Sequence, residues 1–399
     1  MRALFAWMAG ALVALLVACG GDTTSSQPQP SATPSTRADI IIKPDEAMTL
    51  GISVALSGTQ VNLGADIADA AELAVAEFGS VIKGRLIRVQ RMDDECTNAE
   101  KAVSVAKELL ADHTLVGVIG PMCTTGAQAA SDDYERALIV HMSPSATRTD
   151  LSSRGERFFF RTAWRDDAQA ELQAAHATSA LVAKTAILID DGDPYGRGLA
   201  DAFAAEFEER GGSILARERI QRGTIDFGPL ARQVVAANPD IVVFEGLNPE
   251  GALLVKALRD GGYTRAFMAP DALLSVRDFI ETTGAQGEGA IVTGGPVPDE
   301  SFVLRFIAKF NRPPSTPFVL QAHDAVTMLL RAIDAAAREE AGNVVIDREA
   351  VMQTLRAMTY DGLTGRIAFD ERGDRSGETA REVGLRIYQV RAARFEPIE

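Results

Sequence analysis

Cysteine, histidine and positive charge are what this chain has least of. Its 399 residues include three cysteines and four histidines, and 40 Lys and Arg stand against 55 Asp and Glu, a formal charge of −15. With no basic cluster, that balance argues against nucleic acid, whose phosphates are bound by neutralising them. Acidity spread over a globule serves solubility instead. His113, His141, His176 and His323 are scattered without metal-ligand spacing, so no metal is expected. The chain also lacks a G-x-S-x-G elbow, a P-loop, an H-E-x-x-H pair and a strand-linked G-x-G-x-x-G. Each of those carries a specific catalytic geometry, so neither an enzyme nor a cofactor is expected.

What is present begins with an address. Arg2 precedes an apolar run over residues 3–17, and Leu16-Val17-Ala18-Cys19 follows directly. The run is too short to span a bilayer and reads as a secretory signal over residues 1–18. Its end resembles a bacterial lipobox, which makes Cys19 the expected site of lipidation. An ordinary signal with an incidental Cys19, or a retained anchor helix, is the alternative. Residues 19–46 are read as a tether: the part up to Asp39 is Ser, Thr, Pro, Gln and Gly with almost no large apolar residue. A coil of that length reaches roughly 25 Å. The expected location is extracytoplasmic, on a membrane. After Cys19 only Cys96 and Cys123 remain. In an exported chain such a pair reads as a disulfide, with two free thiols or a metal site as alternatives.

From Met48 onward, short apolar runs alternate with amphipathic helices. Strands are expected near 49–55, 86–91, 115–119, 138–141, 186–189, 214–219, 241–244, 266–268 and 290–293. The helices between them fall near 67–78, 99–111, 128–135, 167–180, 198–210, 227–236 and 250–260. In the second of these, Ala102, Val103, Ala106, Leu109 and Leu110 share one face at helical spacing. The alternation implies α/β architecture with parallel sheets covered on both faces. There are too many strands for one sheet. Seams near 161–167, 293–298 and 370–378 divide the chain into a first lobe, 47–165 with 295–375, and a second, 166–294 with 376–399. Lobes joined by few crossings are expected to hinge.

Residues 117–147 attract most notice. Strand, turn, helix, strand and turn bring two strand ends to one rim, where ligands of open α/β sheets bind. The helix opening at Thr124 offers free N–H groups and a positive dipole end to a carboxylate. Thr124, Ser145 and Thr147 add hydroxyls, whose alternative use is helix capping. Asp93-Asp94-Glu95 is read as a solvated turn, and Asp190-Asp191-Gly192-Asp193 as a turn and helix cap, since it lacks the later ligands of a calcium loop.

Taken in order, MTLGISVALSG, DDECTNAEKAVSVAKELL, GVIGPMCTTGAQAASDDYE, MSPSAT, DDGDPYGRGLADAF, ALRDGGY and LTGRIAFDERGD resemble the type I periplasmic binding proteins. They are most similar to the leucine/isoleucine/valine-binding proteins of ABC importers. The resemblance runs from about Met48 to Val390 and implies two Rossmann-like parallel-sheet lobes joined by a three-segment hinge. It implies a Cys96–Cys123 disulfide, and Thr124, Ser145 and Thr147 holding the head group of an amino acid from the first lobe. Tyr195 would close from the second lobe, Asp271 would pair with the α-ammonium, and Phe318 would wall the side-chain pocket. Leu63 and Leu247 stand where those binders commonly carry tyrosine, which makes these edges of the pocket more apolar. The function so implied is capture of an amino acid by a monomeric lipoprotein that delivers it to ABC permease subunits. A sensing receptor subunit of the same fold and a cleft enzyme are the alternatives.

Overall fold

The computed structural model describes residues 39–398; the expected signal segment, Cys19 and the tether up to residue 38 lie outside them. The strand Met48–Val54 is buried at every position because it is central. It lies parallel between Arg85–Asp93 and Leu115–Ile119, and a strand covered on both faces must be apolar throughout. His141–Ser143 and Phe159–Arg161 continue the parallel run, and Val81–Ile82 adds an antiparallel edge to make six strands. Helices α1 (Val61–Phe78), α2 (Ala99–Leu110) and α3 (Thr124–Ala137) supply the first crossovers.

A second sheet has seven strands, with Ile241–Glu245 parallel between Thr185–Asp190 and Ala266–Ala269. Its edge strand Ser213–Arg219 alternates in exposure along its length, as a half-covered strand should. Helices α4 (Asp166–Ala175) and α5 (Pro194–Glu209) open this half. Both sheets are dominated by parallel strands, so the chain is an α/β protein of two lobes. The backbone passes between the sheets at residues 162–165, 295–299 and 369–385.

Several local expectations change. Residues 138–140 were expected in a strand, but α3 runs on to Ala137 and Leu138 caps it in the left-handed region at φ 55°. The strand starts only at His141. Residues 39–46 were expected in the tether, yet Ile40–Ile42 pairs antiparallel with Asn343–Ile346, burying Ile40 and Ile42. Ala337–Glu340, rich in helix formers, is a strand in the same small sheet. There the turn Ala341-Gly342 has positive φ at both positions, the geometry of a tight hairpin. Pairing with Asn343–Ile346 across that turn has overridden propensity. Asp94 is fully buried rather than solvated, accepting from Ser53 Oγ at 2.8 Å and from the Cys96 N–H at 3.0 Å.

The third crossing is tied to the first sheet by charge. Arg161, ending a strand, donates from Nε to Asp374 Oδ1 at 2.6 Å, with side chains 0% and 2% exposed. Ser152 donates to the other Asp374 oxygen at 2.6 Å, and Arg161 Nη1 reaches the Arg148 carbonyl at 2.7 Å. Removing one partner of such a pair strands a charge in low dielectric. Asp374→Ala should therefore cost about 3–5 kcal/mol of unfolding free energy, read from urea denaturation; a loss under about 1 kcal/mol would mean that water reaches Arg161.

Candidate ligand-binding site

The strand ends of the two sheets face each other across a cleft. The first wall is built at Gly120, where φ is +110° and a Cβ would lie 2.2 Å from the Ser53 carbonyl oxygen; only glycine lets the chain pass there. Cys123 follows as the N-cap of α3 and is bonded to Cys96, 27 residues away. The disulfide thus pins Thr124 at the helix start. The first bond inside the helix is Ala127 N–H to Cys123 O, which leaves the preceding N–H groups outside the ladder and aimed at the cleft.

Across from it, Asp193 caps α5 by accepting the Tyr195 N–H at 3.0 Å, the role expected for this acidic turn. Tyr195 Oη donates to Asp271 Oδ2 at 3.1 Å, both side chains being buried. Gly196 makes this packing fit, since a Cβ there would stand 2.5 Å from the Glu245 carbonyl oxygen. The lobes touch through Gln60 Nε2 to Asn248 O at 2.6 Å, Asn62 Nδ2 to Asp278 Oδ1 at 2.7 Å and Thr125 Oγ1 to Asp193 Oδ2 at 3.2 Å.

Between the walls lies a small cavity lined from both lobes. Thr124, Ser145, Tyr195, Asp271, Phe318, Leu63 and Leu247 all line it. Thr147 does not; it is buried beside Asp166, whose N–H it receives at 2.9 Å. Ser145 is already committed, because its hydroxyl donates to Met122 O at 2.7 Å and is left to a guest chiefly as an acceptor. The donors left on this side are the Thr124 hydroxyl and the helix N–H groups. Phe318 sits at φ +71° just before the helix Val319–Ala336 and stacks on Trp164, centroids 5.4 Å apart.

Sequence reasoning missed Met122, Asp193 and Ala272, which complete the wall. Asp166 and Glu245, both buried, lie outside that lining but near enough to Asp271 to feel its charge. Glu245 had a signal: an acid ending the apolar strand Ile241–Glu245. Burial pushes the Asp271 carboxyl up to about 7, against hydrogen bonds from Gln169 and Tyr195 that pull it down. Burial raises Asp166 to about 8, with the Asp271 charge adding to it. Glu245 is raised well above the usual range by burial, then by Asp166 and Asp271. Such a site favours a guest that brings a cation.

The chain belongs to the periplasmic binding protein family, whose model matches residues 47–394. It is 31% identical to the leucine-, isoleucine-, valine-, threonine- and alanine-binding protein of Pseudomonas aeruginosa, over 71% of this chain and 74% of that protein. The fold matches LivJ, a branched-chain amino acid transporter substrate binding protein of Streptococcus pneumoniae solved with isoleucine. The TM-score is 0.77 at 22% identity, covering 88% of this chain and 98% of that one. A solute binding protein of R. palustris solved with benzoate matches with a TM-score of 0.77 at 18% identity, covering 88% and 95%.

The raised carboxyls set a pH dependence. Folded Asp166 and Asp271 hold protons that the unfolded chain has released, so their contribution to stability is complete below about pH 4. It is lost as pH rises toward their values of about 7 and 8. The ligand-free protein should melt lower at about pH 9 than at about pH 5, and Asp166→Asn should flatten that fall. An equal slope in wild type and variant, by thermal denaturation, would contradict the assignment.

Proposed function

We propose that this chain is the substrate-binding lipoprotein of an ABC importer, taking an amino acid, branched-chain or related, into the interlobe cleft and delivering it to the permease. The observation that carries this reading is the opposition of poles in one cavity. Thr124 and the α3 N–H groups face a carboxylate, and Asp271, oriented by Tyr195, faces an ammonium. Charge-assisted hydrogen bonds at both ends, away from water, suit a zwitterion. Leu63, Leu247 and Phe318 receive the side chain, and the relatives' amino-acid ligands support the class. The lobes, 47–165 with 295–375 and 166–294 with 376–399, close as a hinged pair because only the shut form offers both poles. Cys19 carries the lipid that holds the monomer outside the cytoplasm.

The apolar wall favours one second reading, an aromatic carboxylate such as the benzoate held by the R. palustris protein. Asp271 opposes it, because a guest without a cation leaves that carboxyl uncompensated. A thermal-shift panel separates the two. At a hundredfold excess over Kd, an α-amino acid that binds should stabilise by about 2.7 kcal/mol, and Asp271→Ala should abolish the shift. Binding of benzoates alone, or undiminished amino-acid binding by the variant, refutes the ammonium assignment. For the anchor, Cys19→Ala should move the protein from the membrane fraction to the soluble extracytoplasmic one; unchanged partition would exclude the lipid.

A further inference from the structure

Two arginines outside the cavity lining reach from one lobe to the other. Arg148 follows the strand His141–Ser143 of the first sheet. Its guanidinium is gripped by Asp150 of the same lobe, Nε to Oδ1 at 2.8 Å and Nη2 to Oδ2 at 2.9 Å. Its own carbonyl accepts from Arg161 Nη1 at 2.7 Å. The remaining nitrogen, Nη1, donates to the Pro194 carbonyl of the second lobe at 3.0 Å. The side chain lies along the first turn of α5, 3.7 Å from where a Cβ of Gly198 would stand. Next after Pro194 comes Tyr195, which lines the cavity.

Arg222 repeats the arrangement with the lobes exchanged. It follows the edge strand Ser213–Arg219 of the second sheet. Its Nη1 lies 3.1 Å from Asp191 Oδ2 and 3.5 Å from Glu250 Oε2, acids of its own lobe whose side chains are 0% and 1% exposed. Nη2 donates to Thr59 Oγ1 at 3.0 Å, in the turn that precedes α1 of the first lobe. Gln60 of that turn reaches back to the Asn248 carbonyl. In both cases carboxylates of one lobe hold the guanidinium and a free N–H makes the crossing.

We propose that Arg148 and Arg222 are reciprocal latches, positioning residues that act through the start of α5 and the turn before α1 to set how long a guest stays enclosed. The proposal rests on lobe closure in the reading above, and not on the chemistry of the guest. A bond made only in the shut form opposes opening, whereas a guest meets the open form, so the latches act on release rather than on association. Each planar fork is held by its own lobe before closure, and little side-chain freedom is lost when it engages.

Stopped-flow kinetics on the protein with leucine, valine, alanine and benzoate test this, the tightest binder of the four serving as probe. Arg148→Ala should raise koff about threefold or more. Thr59→Val, which removes the acceptor and leaves Arg222 on its buried partners, should do the same. In both variants kon should stay within about twofold of the unaltered protein. A smaller rise in koff in either folded variant, or a loss of affinity carried by kon, overturns that latch and leaves the amino-acid reading standing. Benzoate as the sole binder ends the amino-acid reading while the latches are still judged by koff. If none of the four binds the folded protein, both fall.

Discussion

A carboxylate taken out of water costs several kcal/mol unless a cation or a set of donors replaces the lost hydration. Three such groups, Asp271, Asp166 and Glu245, are buried near one another; Asp271 receives the Tyr195 hydroxyl, and the Thr147 side chain lies beside Asp166. Much of the surrounding geometry serves to hold them there. The Asp193 cap orients the start of α5 and with it Tyr195, and Gly196 allows that helix to approach the tip of the Glu245 strand. The arrangement is costly by itself, and burial holds these carboxyls in their neutral forms up to higher pH.

The opposite wall works by backbone rather than by charge. Cys123 is both half of the disulfide and the cap of α3, so the covalent link fixes the helix end that lines the cavity. Ser145, spent on Met122 O, steadies that turn. On the proposed function, a zwitterion spanning Asp271 and the α3 N–H groups would touch both lobes at once. The few direct interlobe hydrogen bonds, such as Gln60 to Asn248, are modest beside that differential contact.

Most of the architecture was legible in the sequence because burial on two faces forces continuous apolar runs. Leu115–Ile119 and Glu250–Asp260 stand at the expected boundaries. What misled was local preference. The helix formers of Ala337–Glu340 pair as a strand, and Ile40–Ile42 leaves a polar tether to join the same sheet. Ile40–Ile42 depends on a partner remote in the chain, which no local window contains, whereas Ala337–Glu340 pairs with its neighbour across a two-residue turn. Seven of the eight expected site residues line the cavity, carried by motif order. Thr147 turns instead toward Asp166, a direction that spacing cannot encode.

By itself the sequence determined the strand–helix alternation, the partition of the chain between two sheets and most of the residues that line the cavity, since periodicity, turn residues and motif order are local properties. Only the tertiary structure decided that Asp166 and Glu245, 79 positions apart by their numbers, are both buried and near enough to Asp271 to feel its charge. Proximity and exclusion of water arise only when the α4 start and the end of a strand from another βα unit pack together.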